Sequence, residues 1–312
     1  LLTPPNTLPP CPLMLGSWTS HEYDVLEVRP NGTQTMGMDY VSIFDVNQQQ
    51  NCEFSGYHTW ENASERQGNN FIGMVDPDTH EFTIIEPGTS SRYTGVVDGD
   101  HMDLVFTHFA NDLTYSLVYS TSLARRDAEP DDHDEEHTCP DISGRWNSSS
   151  YSVLDVTTDG GRSMSAGWTT TLEIIWQEGC IFRAVDSWTD RTSSGSAAVA
   201  GVIHGDASTI SMVEVPQNLE EDTIARISAR LVGPNRLDLT LIGDYNDGSG
   251  ALAFTTSYSK TGTPPEPASC PDVTGAWSGG PFEAFRMNSS GSFSSVQRSS
   301  RELVISEQSG CL

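Results

Sequence analysis

The chain has 312 residues, enough for two or three domains of ordinary size. Its 43 acidic side chains outnumber its 16 lysines and arginines and give a formal net charge of −27, which argues against binding to nucleic acids or anionic membrane surfaces. No run of about 18 apolar residues is present that would span a bilayer. No signal peptide is visible, and the Pro-rich opening without Met indicates a piece of a longer protein.

Six cysteines reveal an internal repeat. They form three pairs with the same spacing of 41 residues, namely Cys11 and Cys52, Cys139 and Cys180, and Cys270 and Cys311. In each pair the first cysteine is followed by proline, by glycine five residues on, and by tryptophan seven residues on, the last being Trp18, Trp146 and Trp277. This shared pattern indicates tandem copies of one module.

The repeat predicts the domain organisation. We expect a linker over 1–10, module 1 over 11–126, an acidic linker over 127–138, module 2 over 139–262, a Pro-rich linker over 263–269, and the N-terminal third of module 3 over 270–312.

In chain order, each of the first two modules predicts short strands with apolar–polar alternation and no stretch of helical periodicity. In module 1 the strands are expected near 16–28, 38–46, 52–60, 70–75, 80–86, 91–97, 101–109 and 113–123. In module 2 they are expected at 144–156 (as one strand or two), 169–177, 180–188, 197–204, 207–214, 223–232, 235–243 and 250–258. Eight short antiparallel strands favour an up-and-down barrel or a two-sheet sandwich.

Each module opens with two short motifs, which are Gly16-Ser17-Trp18 and Cys52-Glu53-Phe54-Ser55-Gly56-Tyr57 in module 1, and Gly144-Arg145-Trp146 and Gly179-Cys180-Ile181-Phe182 in module 2. They resemble the first strand and second hairpin of avidin-like barrels, within the calycin (lipocalin-like) group, more weakly in module 2. The resemblance covers the first third of each module. It implies an all-β chain of tandem eight-stranded antiparallel barrels on Pro-rich linkers, with β-sandwich modules as the alternative. It does not imply biotin binding, because the later strands carry no matching residues.

The meander and the repeat together predict three disulfides, Cys11–Cys52, Cys139–Cys180 and Cys270–Cys311. In such a barrel the start of the first strand lies beside the second hairpin, so the paired cysteines come within reach. The alternatives are buried thiols or metal ligands, but no histidine stands at ligand spacing from the cysteines. Disulfides indicate an oxidising compartment, so we expect a secreted or cell-surface protein.

Four Asn-x-Ser/Thr sequons agree with secretion and predict N-linked glycans at Asn31, Asn62, Asn147 and Asn288. The acidic residues of 127–138 lack the pattern of a calcium loop, so we interpret this segment as a solvated spacer. We expect no resident metal or cofactor, with Ca²⁺ bridging by the acidic turns at 98–101 and 244–248 as a minor alternative.

The tryptophans divide into two groups. Trp18, Trp146 and Trp277 are expected in the barrel floor. Trp60 and Trp188 both follow the second cysteine of their module by eight residues and belong either to the core or to the barrel mouth, where they would contact a ligand.

The sequence contains no nucleophile elbow, phosphate loop or dinucleotide fingerprint, and its histidines are scattered, so we predict no enzymatic activity. The leading hypothesis is a structural repeat protein of an extracellular filament, flagellar hair, sheath or surface layer. Its expected partners are copies of itself or neighbouring modules. The alternative is a secreted barrel that binds a small ligand or glycan, or an adhesin.

Overall fold

The computed structural model describes residues 10–110, 114–126, 139–190, 192–216, 223–245, 248–260, 273–278, 282–287, 293–299 and 302–305. These residues form β-strands, turns and irregular segments. Among them no helix has the length and apolar character needed to cross a membrane. The acidic linker over 127–138 and the Pro-rich linker over 263–269 lie outside the described ranges.

Module 1 folds into a closed barrel, barrel 1. Its strands are β1 (Gly16–Ser20), β2 (Tyr23–Val28), β3 (Gln34–Gln50), β4 (Glu53–Glu61), β5 (Arg66–Val75), β6 (Glu81–Ile85), β7 (Arg92–Asp98), β8 (His101–Phe109) and β9 (Ser116–Arg125). Each strand pairs antiparallel with the next, and β1 and β2 are two halves of one broken strand, since both pair with β3 and with β9. The sheet therefore closes as an eight-stranded up-and-down barrel, which confirms the prediction and excludes the sandwich.

Module 2 repeats this topology as barrel 2. Its strands are β10 (Gly144–Ser148), β11 (Tyr151–Thr157), β12 (Arg162–Glu178), β13 (Ile181–Thr189), β14 (Ser194–Ile203), β15 (Thr209–Pro216), β16 (Thr223–Leu231), β17 (Arg236–Tyr245) and β18 (Gly250–Ser259). Again β10 and β11 form one broken strand that pairs with both β12 and β18.

The third strand of each barrel is longer than the sequence predicts. Both β3 and β12 have 17 residues, because their first halves pair with β2 or β11 and their second halves with β1 or β10. The first halves are mostly exposed or half-buried on both faces. Alternation between apolar and polar residues is therefore weak there, and this explains why the pattern detects only the second halves.

Each barrel has its own core, and a tryptophan closes its floor. Trp18 and Trp146 are fully buried, and each indole nitrogen donates a hydrogen bond of 2.8 Å to the carbonyl oxygen four residues earlier, of Met14 and Ile142. Trp277 makes the same bond to Val273 but is 53% exposed, so the structure does not place it in a core.

The described part of module 3 contains β19 (Gly275–Ser278), β20 (Phe282–Met287), β21 (Phe293–Ser299) and β22 (Glu302–Ile305). The pairing of β19 with β22 aligns Gly275 with Ile305. This register matches that of Gly144 with Ile174 in barrel 2, so the opening of module 3 follows the same plan.

Disulfides join Cys11 to Cys52 and Cys139 to Cys180, with Cα–Cα distances of 5.2 and 5.1 Å. Each bond ties the segment before the first strand to the hairpin after the third, as the repeat predicts. The chain thus has the disulfides typical of an oxidising compartment. Cys270 and Cys311 lie outside the described residues.

Candidate functional site

The two barrels pack against each other through outward-facing apolar side chains. The buried members are Leu26, Val28, Val105 and Val118 of barrel 1, and Ile181, Ala198, Ala200, Val202 and Val213 of barrel 2. Met36, Phe109 and Trp176 cover the margin of this cluster. Outward faces of a barrel are ordinarily solvated, so a shared apolar cluster marks a specific contact between modules.

Two arginines of barrel 2 add polar contacts to this interface. The guanidinium of Arg226 lies over the ring of Phe109 at 4.6 Å and donates a 2.7 Å hydrogen bond to the carbonyl oxygen of Ser90. Arg183 donates a hydrogen bond to the carbonyl oxygen of Gly32. Because these acceptors are backbone atoms of particular turns, the arginines fix the register of the contact as well as adding to its stability.

The contact joins different faces of the two barrels. On barrel 1 it involves β2, β8 and β9, and on barrel 2 it involves β13, β14 and β15. The counterpart of β14 in barrel 1 is β5, which is four strands from β9 in either direction around an eight-stranded ring. The two kinds of face therefore lie on opposite sides of one barrel, and the contact is heterologous, or head-to-tail.

A groove of about 1810 Å³ runs beside this contact, lined by residues of both barrels. Barrel 1 contributes the outward-facing Met74, Ile85 and Val96, and barrel 2 contributes His204 and Arg226. The groove thus continues from the interface over the β5–β7 side of barrel 1.

The interior of barrel 1 holds a cluster of buried polar side chains. His58 lies between a hydroxyl and a carboxylate, with its Nε2 3.0 Å from Ser42 Oγ and its Nδ1 3.0 Å from Glu86 Oε1. The Tyr93 hydroxyl donates a 2.7 Å hydrogen bond to Glu86 Oε1, and the Asn69 amide donates one of 3.1 Å to Oε2. The cluster is therefore a connected hydrogen-bond network inside an apolar core.

Burial and hydrogen bonding set the charges of this cluster. Burial lowers the pKa of His58, and the adjacent Glu86 opposes this only in part, so the imidazole is neutral at pH 7. Burial favours the neutral form of Glu86, but hydrogen bonds from His58, Tyr93 and Asn69 outweigh it and lower its pKa. The network accordingly consists of a neutral imidazole that donates to a buried carboxylate.

Barrel 2 carries a related cluster at the same registers. The counterparts are Ser42 and Thr170, His58 and Asp186, and Glu86 and Glu214. The Thr170 hydroxyl lies 2.6 Å from that of Tyr258. Burial raises the pKa of Asp186 to about 6, and a hydrogen bond with Glu214 offsets only part of this effect. The histidine–glutamate pair of barrel 1 is therefore replaced by two carboxyl groups that share a proton more readily than they both ionise.

The chain of Ser42, His58 and Glu86 has the order of hydroxyl, imidazole and carboxylate that hydrolases use. In this structure Ser42 is fully buried and its Oγ also lies 2.5 Å from the Tyr23 hydroxyl. No substrate reaches the hydroxyl in this arrangement, and the network instead fills the core.

Sequence reasoning missed both polar clusters, because it treated the histidines as scattered. A signal was present, since His58 and Asp186 both stand six residues after the second cysteine of their module, on the same inward-facing register as Phe54 and Phe182. A polar side chain at an inward position in two copies indicates a conserved place in the fold.

The remaining site residues of the sequence analysis lie in varied surroundings. Trp60 and Trp188 are half-buried, and the Trp60 ring lies 5.1 Å from that of His58, so a ligand contact at the mouth stays a prediction. Asn31 is exposed in a turn, whereas Asn62 and Asn147 are half-buried, and their glycosylation also stays a prediction. Asn288 lies outside the described residues.

The structure gives no direct support to calcium bridging. In the turn between β7 and β8, Asp100 pairs with Arg125 at 2.7 Å. Within the described ranges no group of three or more metal-ligating side chains is assembled.

One solved structure is similar to this chain, a protein of unknown function from the DUF3598 family of Nostoc punctiforme. The similarity covers 80% of this chain and 96% of that one, at 12% sequence identity and a TM-score of 0.34. A TM-score below 0.5 does not establish a shared fold. No protein-family model matches the chain, and no curated protein matches its sequence.

Proposed function

We propose that the chain is a structural repeat unit of an extracellular filament or surface layer, such as a sheath or a flagellar hair. The observation that supports this proposal is the head-to-tail contact between the barrels. A contact that joins opposite faces of equivalent modules can be repeated without limit, and this is the geometry that builds open filaments when the rotation between units does not close a ring.

The contact is strong enough to hold the barrels as one unit. Nine apolar side chains are buried there, and full burial of a Val or Leu side chain contributes about 1.5–3 kcal/mol. Because the modules are covalently joined, this energy does not have to offset the full entropic cost of bimolecular association. The array is thereby stiffened by direct packing as well as by its Pro-rich joints.

The extracellular setting rests on chemistry that suits such a location. One disulfide per complete module stabilises folded barrels outside the cell, where no chaperone repairs them. The net charge of −27 keeps a dense array soluble. The sequons would add hydrated glycans to its surface.

Negative-stain electron microscopy of the native material tests the proposal. We expect beaded rods whose beads have the size of one barrel, and dispersed single particles would contradict the proposal. In the 312-residue chain, Ala200→Asp places a charge in the barrel contact and should increase the radius of gyration measured by X-ray scattering. The matched control Thr189→Asp lies on the exposed end of the neighbouring strand and should leave the radius unchanged.

A second candidate function is binding of a small ligand or glycan at the mouth of barrel 1. It is favoured by the half-buried Trp60 above the polar cluster at His58, since an aromatic ring beside hydrogen-bonding groups suits a sugar or heterocycle. A ligand that raises the melting temperature of the wild type, but not of Trp60→Leu, would support this function. Equal shifts in both proteins would exclude the mouth as the site.

A further inference from the structure

Barrel 2 exposes an apolar row at the registers that barrel 1 uses in the contact. In barrel 1 the paired row across β3, β2, β9 and β8 is Met36, Leu26, Val118 and Thr107. In barrel 2 the equivalent row across β12, β11, β18 and β17 is Met164, Leu154, Ala253 and Ile242. Met164 is 45% exposed and Ile242 is 59% exposed. We call this surface, with Val156 at its margin, the β18 face.

Barrel 1 exposes the complementary surface. In barrel 2 the contacting row across β12 to β16 is Trp176, Arg183, Ala200, Val213 and Arg226. Its equivalent in barrel 1, across β3 to β7, is Gln48, Ser55, Ile72, Ile85 and Arg92. We call this surface, together with Met74, the β5 face.

The β5 face is accessible to a partner and keeps the character of its counterpart. Met74 is 61% exposed and Ile85 is 50% exposed. Met74 occupies the register of Val202, which is buried in the observed contact. Large apolar side chains at these positions are costly to leave in water, which is typical of a surface that a partner covers.

The two exposed faces also match in charge. In the observed contact Arg226 of barrel 2 stacks on Phe109 of barrel 1. On the β5 face the counterpart of Arg226 is again an arginine, Arg92, and on the β18 face the counterpart of Phe109 is Asp244. A second contact of the same geometry would therefore place an arginine beside a carboxylate, where the first has an arginine beside an aromatic ring.

From these equivalences we propose that the β18 face of one chain binds the β5 face of a second copy of this chain, in the geometry of the contact between its own barrels. The inference rests on the proposed function and specifies the surfaces that carry assembly. Since the β18 and β5 faces lie at opposite ends of the two-barrel unit, each chain joins one neighbour on either side.

Two variants with a new charge on one face each test the inference in the 312-residue chain. Ile242→Glu disables the β18 face and Met74→Glu disables the β5 face. Sedimentation velocity should show concentration-dependent growth for the wild type and monomers for each variant alone. An equimolar mixture of the variants should form dimers and nothing larger, because one intact face of each kind remains. Val232→Glu, an exposed apolar position in a turn away from both faces, should associate like the wild type.

A charge reversal provides a test that leaves the apolar residues in place. Arg92→Asp and Asp244→Arg should each weaken association by about tenfold, and the double variant should restore it, because an exposed pair contributes up to about 1 kcal/mol. Circular dichroism of every variant checks that the barrels remain folded.

The outcomes separate this inference from the proposed function. If the chain assembles and Ile242→Glu and Met74→Glu assemble equally well, or if each variant self-associates to a dimer, the inference is wrong and the filament proposal stands. If the wild type remains monomeric and no filaments are found in the native material, both are wrong. Growth that stops at the wild-type dimer would also overturn the inference, because a heterologous contact does not end there.

Discussion

Replacing Asp186 by asparagine should remove a pH-dependent loss of stability in barrel 2. Burial raises the pKa of this carboxyl from 3.8 to about 6. Below about pH 4 the group is protonated in both the folded and the unfolded chain. As the pH rises from there towards 6, the unfolded chain releases the proton first, so the free energy of unfolding falls and then levels off above the folded-state pKa.

The size of the effect follows from that difference in pKa. A shift of one unit corresponds to 1.36 kcal/mol, so the difference of about two units predicts a loss of about 3 kcal/mol between pH 4 and pH 7. Asparagine cannot ionise and occupies the same volume, and its amide can still donate to Glu214. The stability of the variant relative to the wild type should therefore rise by about 3 kcal/mol over this interval.

Urea unfolding of both proteins at intervals from pH 4 to pH 8, followed by circular dichroism, measures the difference. Glu173→Gln changes the net charge equally at an exposed position of the same barrel and should run parallel to the wild type. If the curve for Asp186→Asn is also parallel to the wild type, the carboxyl pair does not share a proton and the reasoning is refuted.

Three further predictions concern stability and packing. His58→Leu should cost about 3–5 kcal/mol because it removes a donor from the buried Glu86 carboxylate, whereas the double variant with Glu86→Leu should recover much of the loss in urea unfolding; additive losses would mean that the pair is not coupled. Cys139→Ser with Cys180→Ser should lower the free energy of unfolding by about 4 kcal/mol, the chain-entropy value for a loop of this length, and an unchanged urea midpoint would contradict it. Arg226→Ala should weaken the barrel contact by about 2–3 kcal/mol, seen as a larger radius of gyration in X-ray scattering, and an unchanged radius would show that apolar packing alone holds the barrels together.

The repeat made much of the fold predictable. Equal cysteine spacings identified the modules and two of the disulfides that the structure contains, and alternation identified eight strands in each barrel. These features depend on local pattern and on comparison within the chain, which a single sequence supplies.

The contact between the barrels was harder to predict, for a local physical reason. A register shift between Tyr23 and Val25 changes which side chains face inward, so Val25 packs in the core while Leu26 and Val28 face outward. Two adjacent apolar residues in a strand fit both faces, and the sequence alone does not say which face is solvated. The polar clusters were missed because their members come from strands distant in sequence and become neighbours only when the barrel closes.

The disulfide at each barrel floor has a mechanical consequence. When a module is stretched by its ends, force that enters at Cys139 passes through the bond to Cys180 and bypasses the chain between them. The bond thus shields 41 residues' worth of backbone from extension, about 140 Å at full stretch. A module that yields under tension therefore lengthens by much less than its sequence allows, and it retains the first three strands as a looped template for refolding when the tension is released.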